Sequence, residues 1–306
     1  MSADRLHGLA AFVRSVEAGS FTGGARLLGT TPSAVSKSIA RLERRLGVRL
    51  VQRSTRAFVL SSEGRSYYER VAPLVRGLEA ADEALAAPAT AIGRLRVSLP
   101  EDLGRLLLEP ITSRLMGRQP GLALDVSLSD RHVDLIREGF DLVLRAGEVE
   151  DSGLYARQLV RLPLVLVAST EYLATHGVPR TVGDLAGHHH VRYRLGRQVF
   201  PITFADGSRF IPDGRFDADS GEALRTAAVG GLGIAQLLKT TVQADIDAGR
   251  LRVVLPEVRL PDVPVQMLHG YGLNLPVRAK AFIDFVAREL AAVSGAVAGN
   301  SNRPVG

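Results

Sequence analysis

Residues 19–47 read GSFTGGARLLGTTPSAVSKSIARLERRLG, and this stretch decides the architecture of the chain. Leu27 and Leu28 end a short helical run, and Gly29 is placed to take the positive φ that closes it. Thr31 is a good N-cap, and Pro32 fits the first helical position, where a missing N–H costs nothing. Beyond them Val35, Ile39, Leu42 and Leu46 recur at helical spacing as one apolar stripe, while the opposite face carries Ser33, Lys37, Arg41 and Arg44. A short helix, a tight turn and a second helix with a polar, basic outer face is the layout that sets a helix into the major groove of double-stranded DNA. An ordinary surface hairpin with solvated arginines has the same pattern, so the stretch alone leaves both readings open.

Two further features, a wing and the distribution of charge, favour DNA. The preceding helix, roughly 6–18, aligns Leu6, Leu9, Val13 and Val16, enough to close a small three-helix core. After Gly47, VRLVQRSTRAFVL (48–60) gives two β-prone runs around Ser54-Thr55: a wing with Arg53 and Arg56 near its tip, able to reach phosphates. Residues 1–66 hold 11 Lys/Arg and 4 Asp/Glu, a net of +7, whereas the rest of the chain holds 27 and 28, a net of −1. Positive charge is thus concentrated in the first fifth, as expected of a DNA-facing module on a neutral body.

The next segment, 62–87, has a different pattern. Tyr67, Val71, Leu74, Leu78, Ala81 and Leu85 alternate steps of four and three, the a/d spacing of a helix that pairs with a copy of itself; packing on its own chain is the alternative. AAPATAIG (86–93) follows, small, uncharged and interrupted by proline, a hinge. From there short β-like runs, LRVSL (95–99), LALDVSL (122–128), FDLVLR (140–145) and LPLVLVAS (162–169), alternate with helical or turn segments. That alternation points to an α/β domain with a largely parallel sheet. The end of the sequence, SGAVAGNSNRPVG, is small and polar and is expected to be disordered.

Composition narrows the function. No apolar run reaches the roughly 18 residues of a membrane helix, and MSADRLHGLAAF has no cleavable signal pattern, so a cytoplasmic protein is expected. Cysteine is absent, which fits a reducing compartment and excludes a thiol-based sensor. His188-His189-His190 invites a metal, but consecutive side chains diverge and no Cys or spaced carboxylate completes a site; a loop is the better reading. Gly230-Gly231-Leu232-Gly233 resembles a dinucleotide loop, yet Gln236 stands where the third glycine is needed. No nucleophile-elbow context accompanies the Ser, His and Asp residues, so no enzyme, cofactor or metal is expected.

Over nearly its whole length the chain resembles the LysR-type transcriptional regulators. The signature stands as AFVRSVEAGSFTGGARLLGTTPSAVSKSIARLERRLGVRLVQRSTRAFVLSSEG (11–64). By resemblance, Thr31, Pro32, Ser33, Ser36, Lys37 and Ser38 fall at recognition-helix positions near DNA and Arg53 and Arg56 on the wing, with Arg41 on the same basic face. Two departures stand out. Gly23-Gly24 replaces the usual alanines, which should weaken the second helix by about 1 kcal/mol per glycine. Ser38 stands where the family often has Gln, and a serine cannot pair bidentately with adenine. GRLRVSLP (93–100), the stretch 127–147 and LVASTEYLATHG (166–177) look like the CrgA-like subgroup.

The resemblance implies a winged helix-turn-helix over 1–61, a linker and dimerisation helix with its hinge over 62–93, and an effector-binding domain over 94–294. That domain is expected to fold like periplasmic binding proteins, with one subdomain at 94–161 plus 265–294, a second at 162–264, and a disordered tail at 295–306. A ligand in such a fold sits at the carboxyl ends of strands, between the subdomains. Ser98, Leu99 and Pro100, Ser129 and Asp130, and Arg145 fit that location, with Asp219 or Ser220 capping a helix across the cleft and Glu222 in its first turn. Arg145 and helix N-termini favour a carboxylate effector, while Glu101-Asp102 at the entrance disfavour a highly charged anion. Plain capping by Ser98 and Ser220, and pairing of Arg145 with Asp141 or Glu148, are the structural alternatives. The expected partners are promoter DNA, further copies of the chain as a dimer or the tetramer the family favours, a small-molecule effector, and RNA polymerase, whose access the effector would control. A solute-binding protein without DNA function would leave the basic head unexplained.

Overall fold

The computed structural model describes residues 3–52, 58–85, 91–149, 153–272, 274–294 and 302–304. Three helices open the chain: α1 (Ala3–Glu17), α2 (Phe21–Leu27) and α3 (Pro32–Leu46). Their caps follow local chemistry. Ser20 Oγ accepts the Gly23 N–H, Thr31 Oγ1 accepts the Ala34 N–H, and Gly29 and Gly47 close α2 and α3 at φ +62° and +72°. Val35, Ile39 and Leu42 are buried against Phe12 and Val13 of α1, as the apolar stripe predicts. A hairpin of β1 (Val51–Gln52) and β2 (Val59–Leu60) follows, paired Val51 to Leu60 and Gln52 to Val59. The tip with Arg53 and Arg56 lies outside the described residues.

Helix α4 (Ser62–Leu85) divides the apolar seam read from the sequence. Tyr68, Val71, Ala72 and Val75 are buried in the same core as α1 and α3, with Tyr67 packed at its edge. The small domain therefore covers the first two positions of the seam, Tyr67 and Val71, so that part packs on its own chain. Leu74 and Leu78 point away from that core and are 67% and 51% exposed. The side chains of Ala81 and Leu85, and most of the hinge at 86–90, lie outside the described residues.

Two six-stranded sheets make up the rest. The first contains β3 (Gly93–Leu99), β4 (Leu122–Leu128), β5 (Leu142–Ala146), β6 (Tyr155–Leu162), β15 (Val263–His269) and β16 (Asn302–Pro304), in the order β16-β6-β15-β5-β3-β4. Helices α5 (Glu101–Pro110) and α9 (Val277–Ser294) cover one face, burying Leu103, Leu107, Phe282, Ile283 and Val286 against Val97, Leu144 and Met267. The second has the order β12-β8-β13-β7-β14, formed by β7 (Leu164–Ser169), β8 (His190–Leu195), β12 (Phe216–Ala218), β13 (Ile234–Leu238) and β14 (Leu251–Val254). Short β9 (Gln198–Val199) pairs with β8, while β10 (Ile202–Thr203) and β11 (Arg209–Phe210) form a separate hairpin. Around this second sheet pack α6 (Thr170–His176), α7 (Gly221–Val229) and α8 (Lys239–Asp247).

The sheets are mixed rather than largely parallel. β3 runs parallel to β4 and β5, but β15 returns from the second lobe and inserts antiparallel between β5 and β6. β13 and β14 likewise flank β7 antiparallel. The chain crosses between lobes twice, first through Pro163 alone, between β6 and β7, and again through 255–262, between β14 and β15. Leu255 begins the second crossing at φ +50°, the one non-glycine residue with positive φ among the described residues. Residues 302–304, inside a tail expected to be disordered, pair with β6 and cover its edge. No helix among the described residues is long and apolar enough to cross a membrane.

Candidate nucleic-acid interface and interdomain cavity

The outer face of α3 presents Thr31, Pro32, Ser33, Ser36, Lys37 and Arg41, all exposed. Ser38 stands apart: it is half-buried on the flank facing α1, its carbonyl oxygen 3.5 Å from where a Cβ on Gly8 would sit. Thr31 Oγ1 and Ser33 Oγ lie 3.1 Å apart, linking the cap to the first exposed turn. Sequence reasoning passed over Glu43. Its Oε1 accepts the N–H groups of Leu50 and Val51, at 2.8 and 3.1 Å, and so ties the start of the wing to α3. A lone acid on a helix otherwise rich in cations was the available signal. At the other side of the wing, Ser61 Oγ donates to the Arg49 carbonyl and accepts the Gly64 N–H.

Between the two sheets lies a cavity of about 540 Å³. Pro100, Asp130 and Arg145 line it, as the sequence suggests, together with Asp102, Tyr193, Phe200, Gln236 and Leu238. Ser98, Leu99, Ser129 and Ser220 do not. Leu99 is fully buried in the core of the first lobe, and Ser98 Oγ is buried without a hydrogen-bond partner. Ser220, rather than Asp219, caps α7 by accepting the Ala223 N–H at 3.4 Å, and it also donates to Glu101 Oε2 across the cleft at 2.8 Å. Asp102 is a wall of the cavity, not a residue of its entrance. Its Oδ1 accepts the Leu103 N–H, and its Oδ2 accepts the Thr241 hydroxyl of the opposite lobe at 2.9 Å. Arg105 pairs with Glu222 over the same gap. The N-terminal turn of α5 thus bridges to α7 and α8.

The charges in the cavity are poorly solvated. Burial pushes the carboxyl of Asp102 up, against the hydrogen bonds from Thr241 and Leu103. Burial also raises Asp130, whose Oδ1 takes the Glu101 N–H at 3.0 Å while Oδ2 is buried without a partner. Arg145 is shifted down by burial, and its Nη2 is buried with no hydrogen-bond partner. Asp141, one of its two alternative partners in the sequence, is engaged elsewhere: Oδ1 accepts the Tyr271 hydroxyl at 2.6 Å, and Oδ2 accepts the Arg96 N–H at 2.8 Å. Burial, then the nearby Asp130, Asp219 and Asp102, raises the Tyr193 phenol. Nothing in the sequence marks Tyr193 or Phe200, because residues as far apart as Arg145 and Tyr193, 48 positions, line one cavity only through tertiary packing.

The three histidines go separate ways, as their spacing requires: His188 Nδ1 meets the Tyr172 hydroxyl at 3.2 Å, His189 faces His176, and His190 Nε2 donates to the Leu185 carbonyl at 2.9 Å. His190 begins β8 rather than lying in a loop. The glycine run 230–233 joins the end of α7 to the start of β13.

Comparison with known families places this geometry. Residues 6–65 match the bacterial regulatory helix-turn-helix protein, lysR family, and residues 89–291 match the LysR substrate binding domain. The chain is a LysR-type transcriptional regulator. It is 34% identical over 290 residues to the uncharacterized HTH-type transcriptional regulator YhjC of Escherichia coli (strain K12), covering 93% of this chain and 97% of that protein. It is 35% identical to the HTH-type transcriptional regulator CrgA of Neisseria meningitidis serogroup B, over 92% of this chain and 96% of the relative. The solved structure of CrgA aligns with a TM-score of 0.60 at 34% identity, covering 92% of this chain and 98% of that one. This LysR-type regulator is CrgA-like, with a DNA-binding helix-turn-helix joined by α4 to an effector-binding domain of mixed sheets.

Proposed function

We propose that this regulator holds promoter DNA as a dimer or tetramer in the cytoplasm, and that a small carboxylate in the interdomain cavity sets its grip and the access of RNA polymerase. The observation that carries the effector reading is the Arg145 guanidinium, with a buried Nη2 that has no hydrogen-bond partner among the described residues, on the wall of a mostly apolar cavity. A carboxylate would satisfy it. The acids Asp102 and Asp130 beside it favour one negative charge over several.

On the DNA side, Thr31, Pro32, Ser33, Ser36, Lys37 and Arg41 would face the groove, with Arg53 and Arg56 on the phosphates. The partly buried Ser38 supports a role at the edge of this surface rather than in base reading. The exposed Leu74 and Leu78 of α4, one turn apart, support pairing of two copies, which sets two recognition helices at a fixed spacing. Functional boundaries near residues 61, 93 and 294 follow from the same division of labour. Ligand entry would alter the bridges from Glu101, Asp102 and Arg105 to the second lobe, rotate the lobes and re-angle α4.

Footprinting tests this reading with the full-length protein on DNA flanking its own reading frame, with and without a panel of small carboxylic acids. Two protected half-sites whose pattern changes with an acid but not with its amide support it. Absence of any footprint at physiological salt, or a response to the amide alone, overturns it.

A further inference from the structure

We propose that strands β5 and β15 act as one rod carrying the state of the cavity to α4, and that Tyr271 is the positioning residue that fixes the rod to that helix. The two strands are paired antiparallel through five positions, from Val265 opposite Ala146 to His269 opposite Leu142. At roughly 3.4 Å per residue this spans about 14 Å. One end is the wall of the cavity, where Arg145, Ala146, Val263 and Pro264 lie. That end is fastened by the Gly147 N–H donating to the Pro264 carbonyl at 2.9 Å and by Gln266 Nε2 donating to the Gly147 carbonyl at 3.1 Å.

The other end lies beneath α4. Tyr271, just past β15, is buried and donates its hydroxyl to Asp141, just before β5, so the bond closes the far end of the pair. His269 stacks on Tyr155 at 5.9 Å, and its Nδ1 accepts the Tyr271 N–H at 3.3 Å, which holds the corner in one arrangement. The helix comes close at this corner: a Cβ on Gly77 would lie 3.9 Å from the Tyr271 carbonyl oxygen, and Pro73 carbons lie 3.9 to 4.0 Å from a Cβ on Gly270.

Between the ends, Leu142, Leu144, Val265 and Met267 are fully buried, so the rod is clamped by the core and cannot bend to absorb a displacement. A movement at Arg145 or Ala146 then reaches Pro73 and Gly77 as a movement of the corner. If the Tyr271 bond is lost, β5 and β15 can part at that end and the displacement dissipates. The proposal rests on the cavity being the effector site, and adds the route by which occupancy is felt.

The absence of cysteine from the sequence makes a tethered probe possible. Ala146→Cys in the full-length chain, labelled with benzyl methanethiosulfonate, places a benzyl group in the cavity whether or not the natural ligand binds there. Hydrogen exchange of the α4 segment 70–78 is then compared with and without the label, complete labelling being verified by mass. Exchange should change by at least about fivefold, the lower end of usual allosteric coupling. Adding Tyr271→Phe, with folding checked by thermal melt, should reduce the change to less than about twofold. Tyr155→Phe, which removes a hydroxyl at the same corner without touching the Asp141 bond, should leave it intact. An equal response in Tyr271→Phe, or no response of α4 in fully labelled Ala146→Cys, overturns the proposal. Should the natural ligand lie elsewhere, the footprint would ignore carboxylic acids while the labelled protein would still respond.

Discussion

Gly24 lies directly over Ser15: a Cβ on Gly24 would fall 2.5 Å from Ser15 Oγ and 2.8 Å from its Cα. A Cβ on Gly23 would likewise fall 2.6 Å from the Ala18 Cβ. The glycine pair that weakens α2 by propensity is therefore what lets α2 approach α1. Gly24→Ala gains about 1 kcal/mol of helix propensity but must push apart backbone that cannot yield cheaply. Overpacking that costs about 1–3 kcal/mol, less the gain in propensity, leaves an expected net loss of up to about 2 kcal/mol, read as a lower melting temperature. A higher melting temperature would show that the two helices can separate freely.

Lys37 is exposed on the outer face of α3. Lys37→Ala should weaken DNA binding at fixed salt. If Lys37 meets a phosphate only, the slope of log affinity against log salt should fall by about one while the preferred sequence stays the same. Unchanged affinity would remove Lys37 from the interface.

Leu78 is half-exposed on α4 and lies outside the buried cores of the described residues. Leu78→Asp should dissociate the assembly, because a charge would be buried at the seam between two copies. Light scattering measures this directly. A mutant of unchanged mass would locate the assembly surface elsewhere.

The unpaired Nη2 of Arg145 predicts a selective defect. Arg145→Ala should abolish the response to a carboxylate effector and leave operator affinity without effector intact, since Arg145 lines the cavity between the two sheets and is not part of the helix-turn-helix. Anisotropy titrations on labelled operator, with and without the acid, separate the two quantities. Equal responses in mutant and parent would discard Arg145 as the anchor.

Asp102 predicts a pH dependence. Burial holds its carboxyl above the ordinary value of 3.8, so the folded protein takes up this proton more readily than the unfolded chain. The stability linked to this group is complete below pH 3.8 and is lost as pH rises through the folded value. Asp102→Asn, which remains neutral, should melt higher than the parent at neutral pH, and the gap should narrow as the solution is acidified. A gap that widens in acid would reverse the sign.

What could be read from the sequence was local. Gly29, Thr31 and Pro32 are a helix closure, a cap and a first turn, set by backbone rules acting over three or four residues, and each stands where expected. The heptad on α4 was legible as spacing, but spacing does not say what covers each position: Val71 entered the core of the small domain, and Leu74 and Leu78 did not. The insertion of β15 beside β5 was illegible, because about 120 residues separate partners such as Arg145 and Gln266. For the same reason the walls of the cavity were only half-seen. Pro100, Asp130 and Arg145 follow recognisable strands, whereas Tyr193 and Phe200 arrive from the opposite lobe.

The single proline between β6 and β7, with the second crossing that begins at Leu255, gives the lobes a two-point hinge. Two tethers suppress sliding and leave swivelling about the line that joins them as the soft motion. If the cavity takes the effector, the size of the bound molecule would be converted into an angle, and ligands of graded bulk should give graded degrees of transcriptional output.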